Sequence, residues 1–159
     1  MFMNPPPIRG PLGTPSSISR EDAARAIETA RKALPLLSTG PPIVRMGPAG
    51  EVHVDIPLLY QGYALDRIHF DPSTMEPSPK GKPVVFIGSV DRDAVNSRAN
   101  EILGELRVLD AAEYREPERC WVIPLAWGPY LVAHIKVSND GREFVPDYGL
   151  TEEVRRYVY

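Results

Sequence analysis

At 159 residues, 43% apolar and 25% charged, the chain has the make-up of a globular protein, sized for one medium domain or two small units sharing a core. Its 18 basic and 21 acidic residues give a net charge of −3, which is not the basic field that a nucleic-acid backbone demands. No stretch reaches the ~20 apolar residues of a membrane helix. A single cysteine, Cys120, excludes an intramolecular disulfide framework and fits a reducing compartment, so a cytoplasmic protein is expected.

Proline is over-represented, 18 residues against about 8 at average usage. The cluster at 5–15 marks residues 1–18 as a Pro-rich flexible tail. Ser19 followed by Asp22 reads as a helix cap with an acidic first turn. Ala23, Ile27, Ala30, Leu34 and Leu37 recur behind it at helical spacing, and Pro35 ends that helix near Leu34. A second helix is expected from about Arg92 to Leu109, capped by Ser89 or Asp91, with a stripe of Val95, Ala99, Ile102, Leu103 and Leu106. A closing helix is expected from about Thr151, and further strands at 43–47, 84–88 and 107–115.

Residues 51–79 and 118–146 match without a gap, with eight identities in 29 positions, among them Ile56/Ile123, Pro57/Pro124, Tyr63/Tyr130 and Ile68/Ile135. Within each segment the apolar period is two, so each is expected to form an antiparallel hairpin turning at Gln61-Gly62 or Gly128-Pro129. One face carries Ile56, Leu58, Ile68 and Phe70, or Ile123, Leu125, Ile135 and Val137. Ala64 and Leu131 continue it, and Asp66 interrupts it. The fold expected is α+β, two helix-plus-antiparallel-meander repeats at 19–79 and 80–159, with helices packed on one sheet face. A proline inside a strand belongs at an edge or a bulge. Pro57 and Pro124 are therefore expected to break the pairing and to leave room for an added strand.

The helix opening Ser19, Glu21, Ala23 and the hairpin running into Asp71-Pro72-Ser73-Thr74-Met75 resemble the PepSY family of small α+β modules. The turn keeps the family's Asp and Thr and has Met75 where the family carries glycine. The resemblance covers about 18–79 and, more faintly, 89–146. It implies a module that binds or inhibits peptidases, in a family whose members are typically exported or membrane-attached.

The opposite strand faces present Tyr63, Leu65, Arg67 and His69 in the first segment, and Tyr130, Val132, His134 and Lys136 in the second. Tyr63, Arg67, His69, Tyr130, His134 and Lys136 are the candidate binding residues, a basic and aromatic-edged surface suited to an acidic partner segment or an anionic ligand. The bland reading is the wet side of a half-exposed sheet. His53 and Asp55 have the spacing of two metal ligands, but no third follows, and neither a metal nor a cofactor is expected. Trp121 and Trp127 read as core and rim aromatics, and Cys120 as a packed residue without a base to activate it. No phosphate-loop or nucleophile-elbow pattern is present. The expectation is a non-catalytic protein-binding or regulatory module. The alternatives are a self-assembling structural protein and a small ligand-binding protein or enzyme working through the basic faces.

Overall fold

The computed structural model describes residues 18–158, so all but the last residue of the expected tail lies outside them. Among these residues the fold is α+β, three helices with two antiparallel sheets. Helix α1 (Arg20–Ala33) opens with a reciprocal cap, in which the Asp22 amide donates to Ser19 Oγ and the Ser19 amide to Asp22 Oδ2. Pro35 falls in a short 3-10 turn at Leu34–Leu36 that ends it. The first sheet comprises β1 (Ser38–Thr39), β2 (Ile43–Met46), β3 (Val52–Tyr60), β4 (Tyr63–Asp71) and β5 (Glu76–Pro77). Helix α2 (Arg92–Glu105) is capped by Asp91, and stops short of the expected Leu109 because Leu106 turns extended. The second sheet comprises β6 (Arg107–Val108), β7 (Glu113–Arg115), β8 (Cys120–Trp127) and β9 (Tyr130–Ser138). Helix α3 (Tyr148–Val158) begins a turn earlier than expected because Asp147, not Thr151, caps it, accepting from the Leu150 amide.

The two hairpins share one register. Ile56 faces Ile68 and Ile123 faces Ile135; Pro57 faces Arg67 and Pro124 faces His134. The turns differ. Gln61 and Gly62 both have positive φ, 53° and 84°, the requirement of a type I′ turn, whereas Gly128 at 56° precedes a proline whose φ is fixed negative, the II′ pattern. Ile56, Leu58, Ile68 and Phe70, and likewise Ile123, Leu125, Ile135 and Val137, are buried as expected.

Two expectations fail for one reason. Between Leu58 and Leu59 the partner jumps from Asp66 to Ala64, and between Leu125 and Ala126 from Ala133 to Leu131. Each jump inserts one extra residue, Leu65 or Val132, and such a bulge reverses the alternation beyond it. Leu65 and Val132, expected outside, join the main core. Ala64 leaves that core for a smaller cluster with Ile43, Leu150 and Val154, and Leu131 is 43% exposed.

The prolines do not break the hairpins either. Each lies where the neighbouring edge changes hands, Pro57 between β1 and β2 and Pro124 between β6 and β7. The Gly40 amide donates to the Pro57 carbonyl and the Leu109 amide to that of Pro124. No added strand can enter there. The expected single strand at 107–115 is split in two at this point, and 84–88 joins no ladder among the described residues.

The helices exchange partners. α1 packs mainly on β8, β9 and β6 of the second sheet, and α2 on β1 and β5 of the first. Arg25 and Thr29 of α1 donate to the carbonyls of Asp140 and Gly141 after β9, while Arg98 of α2 donates to that of Met75 after β4. Met75 has φ 58°, a left-handed backbone that favours glycine. The exit segments cross as well. After bonding their own strands (Ser78 amide to His69 carbonyl, Val145 amide to Lys136 carbonyl), they reach the opposite ones, Lys80 amide to Leu131 carbonyl and Asp147 amide to Ala64 carbonyl. One core therefore contains residues of both halves and of α1 and α2, and α3 lies on the other face of the first sheet.

Candidate functional site

The edges of β4 and β9 meet without forming a ladder, and the seam between them is where Asp66 belongs. Its carboxylate accepts the His134 backbone amide at 2.7 Å and pairs with Lys80 at 2.7 Å. The side chain that interrupts the apolar face thus satisfies a strand-edge donor that would otherwise go unpaired. A cleft of about 450 Å³ opens along this seam, lined by Asp66, Lys80, Arg115, Glu118, His134 and Lys136 among others. Lys136 donates to Glu118 at 2.6 Å, which holds the Glu118 carboxyl below its usual range. His134 titrates below its usual value because burial and the charges of Lys80 and Arg115 outweigh Asp66 and Glu113. Its ring is therefore neutral near neutral pH, and the cleft's three cations, Lys80, Arg115 and Lys136, share it with three carboxylates, Asp66, Glu118 and Asp147. This balance removes the expected basic field from the seam.

A second cluster centres on Asp55, whose side chain is 6% exposed. It stands on the outer face of β3, across the ladder from His69 on β4. Arg45 reaches Oδ2 at 2.7 Å, Arg67 reaches it at 3.0 Å, and His69 Nδ1 lies 2.8 Å from Oδ1. Arg45 also pairs with Glu153 of α3, so the same charges fasten the closing helix. Burial raises the Asp55 pKa, but His69 and Arg67 more than offset this and hold it at about 2, against an ordinary 3.8. Because the folded value is depressed, the carboxylate's contribution to stability is complete above pH 3.8 and is lost as pH falls through about 2. Urea unfolding across pH 2–5 is expected to show this decline in the native chain and a shallower one in Asp55→Asn.

The six expected surface residues divide between these clusters. Arg67 and His69 belong to the Asp55 cluster, while His134 and Lys136 line the seam cleft. Tyr63 is half covered, edge-on to Tyr148 and beneath Arg155, both of α3. Tyr130 is 50% exposed. The closing helix, whose contacts a hydrophobic pattern does not reveal, is what divides the face. The His53–Asp55 spacing collects no third ligand: among the described residues no group of three His, Cys, Asp or Glu side chains is placed to hold a metal. Trp121 is buried with its Nε1 donating to the Asn139 carbonyl, Trp127 sits at the rim against Glu105 and Arg98, and Cys120 is fully buried.

A feature absent from the expected site is the segment Pro83–Gly88. It lies beside the start of β3, held there by the Val52 amide on the Phe86 carbonyl, and its side chains from Val84 to Ile87 alternate between half-buried and exposed. Phe86 packs against the main core, and its neighbours Val85 and Ile87 are 80% and 73% exposed. The segment leads into a shallow groove lined by Val44, Met46, Val52, Gly88 and Val90, where Met46 is 76% exposed. Its uncharged, β-branched sequence was legible as a strand; that no neighbour pairs with it was not. Among the described residues no helix is long and apolar enough to cross a membrane. Comparison of the chain with models of known protein families, with curated proteins and with solved structures finds no match.

Proposed function

We propose that the protein is a non-catalytic binding module that takes an extended segment of a partner polypeptide onto the edge at Val84–Gly88. The observation that carries this reading is the pair Val85 and Ile87, 80% and 73% exposed on a segment that joins no ladder among the described residues. Natural proteins ordinarily blunt such an edge with charges, prolines or a covering element. Here the alternating side chains and free backbone groups offer what strand addition uses, main-chain bonds for affinity and side-chain contacts for selectivity. The adjoining groove at Met46 and Val52 would receive an apolar side chain of the partner. The single buried Cys120 supports a reducing compartment as the setting, in keeping with a cytoplasmic protein.

Selection from a displayed random-peptide library tests this. Bound peptides are expected to alternate apolar and polar residues and to protect the Val85 and Ile87 amides from hydrogen exchange. A Val85→Asp/Ile87→Asp variant should lose them while unfolding at nearly the native temperature, since both side chains are exposed. Failure to enrich any peptide, or protection confined to other strands, would defeat the reading. Concentration-dependent protection of these amides without peptide would point instead to self-association through the same edge.

A further inference from the structure

The Asp55 cluster contains more than is needed to fasten a helix. Arg45 and Arg67 link Asp55 to Glu153 of α3, which also rests on the sheet through Leu150 and Val154. His69 adds nothing to that link. Its side chain is 47% exposed and lines a cleft of about 330 Å³ together with Asp55, His53, Gly81, Lys82 and Val84. Asp55 engages Nδ1, so Nε2 is the nitrogen left for a ligand. A carboxylate behind the ring fixes its orientation in the same way that outer partners orient metal-bound or catalytic imidazoles.

Three further features give the cleft a polarity. His53 stands on the same strand face as Asp55, two residues away. Its Nε2 is 3.9 Å from Glu51, a loose contact whose carboxylate also accepts the Ala49 amide. Lys82 forms no ion pair among the described residues and sits on a tight turn closed by its own amide on the Pro79 carbonyl. Gly81, at φ 83° with nothing within 4 Å of where a Cβ would be, leaves the backbone beside Lys82 open. The cleft thus combines two imidazoles and an ammonium that forms no ion pair among the described residues, with Val84 beside them and the Asp55 carboxylate behind His69. Polar groups converging in a small concavity are the ordinary form of a ligand site.

We propose that this cleft binds a phosphate group, held by His69 Nε2, His53 and Lys82, with Asp55 as the positioning residue for His69. Three separate nitrogen groups suit a tetrahedral oxyanion better than a planar carboxylate, which offers two oxygens. The hydrogen phosphate form presents both a P–OH donor and P–O acceptors, so it bonds to His69 Nε2 whether or not that nitrogen carries a proton. Charge-assisted bonds of this kind are the strong class. The site is independent of the strand-edge reading, and either can fail alone.

The test is a titration of the whole chain with inorganic phosphate at constant ionic strength, reading the imidazole C–H proton resonances of the three histidines. His53 and His69 are expected to shift saturably with one dissociation constant, and His134, in the seam cleft, to stay in place. Lys82→Ala, an exposed-loop change that leaves the fold intact, is expected to weaken binding tenfold or more, the loss of one charge-assisted bond. Phosphoserine peptide and methyl phosphate in place of phosphate tell an esterified ligand from the free ion by whichever binds tighter; acetate is expected to give no saturable shift. No saturable shift with any phosphate, equal movement of His134, or unchanged affinity in Lys82→Ala would each overturn the proposal.

Discussion

Replacing Gly141 by alanine is expected to destabilise the protein by about 2–5 kcal/mol, read as a lower midpoint in urea. Two effects add. The backbone there is left-handed, φ 78°, which costs an L-residue roughly 1–2 kcal/mol. A Cβ would also lie 2.6 Å from the Asp22 carbonyl oxygen and 2.8 Å from the Ala26 amide nitrogen. Both are backbone atoms of α1 and cannot swing away, so the helix has to lift from the sheet, an overpacking strain of about 1–3 kcal/mol. Gly50 separates the terms: its φ is 82° and nothing lies within 4 Å of a Cβ. Gly50→Ala should cost only the first contribution, roughly 1–2 kcal/mol. Equal losses at the two positions would mean that α1 does not rest on the turn after β9.

Ile68→Ala and Ile135→Ala are each expected to cost about 2–5 kcal/mol, the range for deleting a large aliphatic side chain from a packed interior. Ile68 is 2% exposed and faces Ile56; Ile135 is 0% exposed and faces Ile123. Both belong to one core, so either substitution should lower the single unfolding transition of the whole chain. A biphasic melt, with one phase unmoved, would contradict this. Lys136→Ala removes only a half-exposed pair with Glu118 and should cost less than about 1 kcal/mol. His69→Ala exceeds an ordinary surface change, because it takes a hydrogen bond from a buried carboxylate, at about 1–2 kcal/mol.

What was legible in the sequence is what period and turn chemistry encode. Ser19 and Asp22 announce the first cap, Gln61-Gly62 the first hairpin, and the alternation about Ile56, Ile68, Ile123 and Ile135 the buried faces. These are local signals, and local rules read them. The bulges at Leu65 and Val132 lay beyond reach because a bulge is a property of two paired strands, and its apolar residue looks the same on either face. The division of the candidate surface was hidden likewise. Arg67, His69, His134 and Lys136 alternate as wet residues should, but whether one meets Asp55, Glu118 or solvent depends on where α3 and the seam fall. Asp66 stood out in the sequence as an anomaly; its partner, a backbone amide 68 residues away, did not.

The exchange of helices sets an order on synthesis. α1 leaves the ribosome well before the surface it belongs on, since β9 is finished about 105 residues after Ala33. At about 5–20 residues per second that delay is roughly 5–20 s, and a 14-residue helix is marginal on its own in water. The first sheet waits less, because α2 follows β5 closely, so the N-terminal hairpin is sheltered while α1 still lacks its seat. Final closure belongs to residues made after the first hairpin and α2: β9 and the turn at Gly141 receive α1, and α3 then seals Arg45 and Arg67. A nascent chain stalled before β8 would hold the apolar stripe of α1 open to any chaperone or neighbour that reached it.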